Sequence, residues 1–114
     1  MDTLAVAHTV VDALEAKKGE DILLLDIREI AVFADYFVIC SGTSDRMMDA
    51  LAQGAVEQVH HEYDIKGRVE GSPREGWVLV DFGDVILHLF SPERRDYYRL
   101  EDLWGKGRVV LHLQ

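Results

Sequence analysis

Asp81-Phe82-Gly83 spells the tripeptide that holds metal in protein kinases, so it is the first place to look for chemistry. That tripeptide works only beside a glycine-rich loop and a catalytic loop. A chain of 114 residues contains neither, and the match is coincidental. Ser41-Gly42-Thr43-Ser44, between a strand-like and a helix-like run, has the composition of an anion seat at a helix N-terminus. No lysine lies in it, and Asp45 already offers the helix dipole its negative charge. A nucleotidyltransferase needs carboxylates spaced to bind magnesium after such a turn. Here only Asp45 and Asp49 follow, on the helix, with no Asp-x-Asp pair on a strand. His60 and His61 are adjacent and diverge on a helix. Either could pair with Glu57, but exposed polar residues at a helix end explain them better. His8, His88 and His112 have no partner legible in the sequence. Cys40 lies inside an apolar run and reads as a buried structural thiol, and no serine has a convincing base and orienting acid. The expectation is a protein with no catalytic residues, no metal site and no cofactor.

The elements that must carry these residues follow from periodicity. Leu4, Ala7, Val10, Val11 and Leu14 predict a helix over Thr3 to Lys18, closed by Lys17, Lys18 and Gly19. Ile22 to Leu25 and Tyr36 to Cys40 are short, nearly continuous apolar runs, which predicts strands buried on both faces. Ile27 to Ala34 between them suggests a helical turn. Thr43 or Ser44 caps a long helix to about Tyr63 with the stripe Met48, Leu51, Ala55, Val59 and Tyr63. Gly54 within it marks a close contact with a neighbour. Arg68 to Glu70 suggests a strand and Ser72 to Arg74 a turn. Ser91-Pro92 opens a helix or pair of turns to about Trp104, which Leu100, Leu103 and Trp104 dock on the sheet. Gly105 and Gly107 end it, and Val109 to Leu113 reads as a last strand. The expected fold class is α/β: one domain over 1–114, a mixed β-sheet with packed helices.

Trp77 to Phe82 and Val85 to Phe90, separated by Gly83-Asp84, form the clearest element, a β-hairpin. The turn fixes the register: Phe82 opposite Val85, Asp81 opposite Ile86, and so on to Trp77 opposite Phe90. Alternation then puts Val78, Val80, Phe82, Val85, Leu87 and Leu89 on one face, which must be core. The other face holds Trp77, Leu79, Asp81, Ile86, His88 and Phe90. Rings mixed with a carboxylate and an imidazole suit a binding patch. A second helix layer covering that face is the competing reading, and the patterning leaves both open.

Charge narrows the partner class. Twelve Lys and Arg stand against 21 Asp and Glu, a formal net charge of −9, with no dense basic patch, so bare nucleic acid repels the chain. Basic partners are favoured instead, and ribosomal proteins are an abundant basic class. One cysteine, no basic-then-apolar leader and no run of membrane-spanning length lead us to expect a cytoplasmic protein.

Two long ordered stretches resemble a known family. Glu20-Asp21-Ile22 followed by Asp35-Tyr36-Phe37-Val38-Ile39-Cys40-Ser41-Gly42-Thr43-Ser44-Asp45-Arg46 resembles the first signature of the Iojap-like ribosomal silencing factors. Gly76-Trp77-Val78-Leu79-Val80-Asp81-Phe82-Gly83-Asp84-Val85, continuing through His88, Phe90, Arg95, Tyr97-Tyr98, Leu100-Glu101 and Leu103-Trp104, resembles the second. The likeness runs from about Leu4 to Val110, with Met47-Met48 departing from the family pattern. It implies a nucleotidyltransferase-like fold without catalytic carboxylates. It also implies a translational repressor that binds protein L-fourteen on the inter-subunit face of the large ribosomal subunit and blocks joining of the small one. The family's contact surface carries over to Trp77, Leu79, Asp81, His88, Phe90 and Tyr98. Trp77 and Phe90 are expected to anchor, and Asp81 to pair with a basic side chain. Two rivals remain at this point: a nucleotide-binding enzyme using Ser41 to Asp45, and a ribosome-assembly factor without silencing activity. Self-association through the same apolar face is a further expectation.

Overall fold

The computed structural model describes residues 2–99 and 107–113. Helix α1 (Thr3–Ala16) leads into strands β1 (Glu20–Asp26) and β2 (Tyr36–Ser41), then helix α2 (Asp45–Tyr63). Strand β3 (Arg68–Ser72) and a 3₁₀ turn (Pro73–Glu75) precede β4 (Trp77–Asp81), β5 (Val85–Phe90), helix α3 (Pro92–Tyr98) and β6 (Arg108–Leu113). The expected helix to about Trp104, with its docking residues Leu100, Leu103 and Trp104, lies outside the described residues beyond Arg99.

The helix caps have direct causes. Asp2 accepts from the amides of Leu4 and Ala5 at 3.1 and 3.3 Å, and Ser44 from that of Met47 at 3.1 Å, satisfying donors the helices cannot. At the end of α1 it is Lys18, at φ 63°, that takes the left-handed turn expected of Gly19. Gly19 is required for space: a Cβ there would lie 2.5 Å from Cys40 Sγ and 3.1 Å from Leu51. The expected close contact at Gly54 is with the Lys17 stem, 3.3 Å from a built Cβ.

Among the described residues six strands form one sheet in the order β3-β4-β5-β2-β1-β6. β2 and β5 run parallel at its centre, and the other neighbours are antiparallel. A central parallel pair buried on both faces explains why all six β2 residues are buried and why its sequence does not alternate. The hairpin register is the one the turn dictates, from Trp77↔Phe90 to Asp81↔Ile86, with Phe82 N donating to Val85 O at 2.9 Å.

Helices α1 and α2 lie on one sheet face. Val6, Val10, Leu14, Met48, Leu51 and Val59 pack there against Leu24, Val38, Val80, Leu87 and Leu89. Each such side chain contributes roughly 1.5–3 kcal/mol by leaving water. Met48, at the departure from the family pattern, is part of this core. A smaller cluster of Leu23, Leu25, Ile27, Ala34, Phe37, Ile39 and Phe90 sits on the opposite face. Segment 27–34 forms the single helical turn expected, with Ile27 O accepting from Ile30 N at 3.1 Å and Ala31 N at 2.9 Å, followed by bends, and its Ile27 and Ala34 join that second cluster.

Candidate docking face

Register and alternation place Trp77, Leu79 and Asp81 of β4 beside Phe90, His88 and Ile86 of β5, on the sheet face away from α1 and α2. The two readings left open by patterning each hold for part of that face. Trp77, Leu79, Asp81 and Ile86 are half-buried, whereas His88 is 5% exposed and Phe90 0%. Phe90, expected to anchor a partner, presents no surface to solvent here. It is packed between the outer-face apolar side chains and backs Trp77, with ring centroids 5.1 Å apart. Tyr98 ends α3, and its side chain lies outside the described residues.

His88 likewise faces inward rather than toward solvent. Its Nδ1 accepts from the Trp77 indole Nε1 at 3.3 Å, and Phe37 meets it edge-on at 4.7 Å. Accepting at Nδ1 puts the proton of the neutral ring on Nε2, which is buried with no partner among the described residues. Burial pushes the His88 pKa down to about 4, so the ring is neutral near pH 7. Phe33 lies 6.0 Å from Phe37 and is itself exposed, as are Ile30 and Val32 of the same segment.

Asp81 is already engaged within the hairpin. Its Oδ1 accepts from Gly83 N at 2.7 Å, closing the turn, and Arg68 reaches its Oδ2 at 3.4 Å. Arg68 is 76% exposed, so that ion pair is weak and replaceable. Beside it, Glu70, Gly71, Glu75, Trp77 and Leu79 line an open groove of about 250 Å³. Its apolar surface comes from an indole and a leucine, and its charge from two carboxylates.

Other clusters were not legible in the sequence. Asp26, 8% exposed, receives two bonds from the Arg28 guanidinium at 3.0 and 2.7 Å and a third from Arg108 at 3.4 Å. The Arg28 hydrogen bonds, against the opposing pull of burial, hold its pKa at about 2. Arg95 reaches Asp21 and Ser41, and His112 Nε2 lies 2.6 Å from Asp21 Oδ1. Thus His88 and His112 both have partners that the sequence did not show, because each is brought there by strand pairing. Cys40 is buried as expected, its thiol pushed up to about 12 by burial, which removes the reactive thiolate. Within the nucleotide-type motif, Ser41 Oγ accepts from Arg95 and Ser44 caps α2. Among the described residues no group of three His, Cys, Asp or Glu side chains could hold a metal ion. No described helix is long and apolar enough to cross a membrane.

These features define a small α/β protein with a mixed sheet, two helices on one face and an aromatic, partly open second face. Residues 1–113 match the family described as "Ribosomal silencing factor during starvation", and the chain belongs to that family. It is 40% identical over 110 residues to ribosomal silencing factor RsfS of Bacillus subtilis (strain 168), covering 96% of this chain and 93% of that one. It is 36% identical over 98 residues to a Mus musculus protein named "Mitochondrial assembly of ribosomal large subunit protein 1", covering 83% of this chain and 43% of the mouse protein. A crystal structure of a Chromobacterium violaceum protein superposes with a TM-score of 0.86 at 35% identity, covering 92% of this chain and 88% of that one.

Proposed function

We propose that the protein silences translation by occupying the large ribosomal subunit at protein L-fourteen and sterically blocking the small subunit, with no catalytic step. The observation that carries this reading is the half-exposed Trp77 and Leu79 set beside Glu70, Glu75 and Asp81 at one end of the open face. An indole braced from behind by Phe90 is a large, ordered anchor that loses little entropy on binding. The carboxylates around it favour a basic protein, and the net charge of −9 disfavours bare RNA. Asp81 meets the partner by exchanging its exposed Arg68 for a cation of that partner. Family membership supports the ribosomal setting, and the mouse relative's name supports the large subunit as the target.

The test is co-sedimentation with isolated large subunits followed by a subunit-joining assay. Retention of the wild type with inhibition of joining is the expected result, and retention without inhibition rejects the blocking step. That second outcome favours assembly of the large subunit, the role the mouse relative's name carries. Failure of the wild type to sediment with large subunits rejects both.

A further inference from the structure

We propose that Arg95 is the positioning residue that fixes α3 against the sheet and, through α3, the segment leading into the Trp77 anchor; this rests on the docking reading above. Arg95 is 8% exposed and is the buried side chain of α3 among its described residues. Its Nη1 donates to the Asp21 carbonyl at 2.6 Å and to Ser41 Oγ at 2.9 Å, and its Nη2 lies 3.5 Å from Asp21 Oδ2. One guanidinium thus joins α3 to the second residue of β1 and the last residue of β2. Asp21 also pairs with His112, which brings β6 into the same knot. The carbonyl that Arg95 holds belongs to a residue at φ 50°, where the β1–β2 register shifts, so ordinary ladder bonding is interrupted there.

The N-terminal end of α3 borders Gly76. Ser91 N donates to Gly76 O at 3.0 Å, and a Cβ on Gly76 would collide with the Arg94 stem. Gly76, at φ 80°, is the residue immediately before Trp77. Helix α3 has only seven residues, too few to be stable by local bonding alone, and its exposed Tyr97 projects outward. Its pose depends on what ties it to the sheet, and Arg95 supplies charge-assisted bonds from a buried position. Through α3 that grip reaches both Tyr97 and the flank of the proposed anchor.

Arg95→Met keeps the stem length and removes the donors, and Arg95→Lys keeps the charge. Amide exchange and large-subunit affinity are measured on the full-length chain, well below the thermal midpoint of each variant. The expected result for Arg95→Met is loss of protection at the amides of residues 95–99, unchanged protection in β4 and β5, and at least tenfold weaker retention. Arg95→Lys should recover part of both, and serves alone if the methionine variant does not fold. Trp77→Ala should weaken retention while leaving α3 protected, which separates failure of the anchor from failure of the positioning role. Arg95→Met with α3 still protected, or with α3 released and affinity unchanged, overturns the proposal. A uniform loss of protection through the whole sheet makes Arg95 an ordinary stabilising residue and overturns it as well. Absence of wild-type binding removes the docking reading, and the positioning role with it.

Discussion

The indole Nε1 of Trp77 donates to Nδ1 of His88 at 3.3 Å, tying a half-exposed ring on β4 to a buried one on β5. The bond is made only by an imidazole whose Nδ1 carries no proton. Protonation of His88 therefore replaces an acceptor with a donor that faces the indole N–H, inside an aromatic cluster.

Acid should weaken the fold through His88. Its folded pKa of about 4 lies below the ordinary value of 6.5, so between those values the unfolded chain binds the extra proton. Stability is then fully present above about pH 7 and falls as pH drops through 6.5 toward 4. By pH 4.5 the loss reaches about 2–3 kcal/mol. Urea titrations of the wild type and His88→Gln at pH 7.5 and 4.5 should show a steeper decline in the wild type. Equal declines would remove His88 as the cause.

Asp26 acts in a lower window. Its pKa, held at about 2 by Arg28, is below the ordinary 3.8, so its contribution is present above about pH 4 and disappears as pH falls toward 2. The shift alone corresponds to about 2 kcal/mol. Both arginines are largely solvated, with side-chain exposures of 52% and 79%, which reduces the figure to about 1 kcal/mol. Asp26→Asn should lower stability by that amount at pH 7 and by only about a third of it at pH 2.5. A deficit that persists undiminished at pH 2.5 would mean that packing, not charge, is lost.

Gly19 and Cys40 test close packing under α1. Gly19→Ala places a methyl 2.5 Å from the Cys40 sulfur and should cost about 1–3 kcal/mol. Cys40→Ala opens the space, so the double variant should be more stable than the sum of the two single losses. Strict additivity in chemical denaturation would show that the clash is relieved elsewhere, for instance at Leu51.

What the sequence revealed follows the range of each interaction. The hairpin register was legible from end to end, because two turn residues and strict alternation determine every pair from Trp77–Phe90 to Asp81–Ile86. The face holding the six hairpin residues was legible for the same reason. Their depth was not, because Phe90 and Ile86 lie on one strand and one face yet differ in cover from side chains distant in sequence. The Asp21–Arg95 contact spans 74 residues, and the Asp26–Arg108 contact 82. Neither carries a periodic signal, and although Asp21 and Arg95 each stand in a family signature, nothing in the two stretches says that they meet. Gly19 showed the opposite failure: a local rule assigned it a turn conformation, and a distant sulfur was the real constraint.

Phe90 and Trp77 were both expected to anchor, and they differ in exposure: Phe90 is buried and Trp77 half-buried. Phe90 is fully buried between Trp77 and the outer-face cluster, so Phe90→Ala removes a ring from a filled site and should cost about 3–5 kcal/mol of stability. Trp77 keeps part of its indole in solvent and gives up less when truncated, about 1–2 kcal/mol. Binding should rank them in the reverse order. Trp77→Ala removes the exposed anchor and should weaken retention on large subunits by about 2 kcal/mol or more, roughly thirtyfold. The comparison is made at a temperature where both variants are folded, by denaturation for stability and by co-sedimentation for affinity. If folded Phe90→Ala loses as much affinity as Trp77→Ala, the anchor is the braced pair rather than the indole alone. If Trp77→Ala binds as tightly as wild type, the partner contacts another part of the molecule.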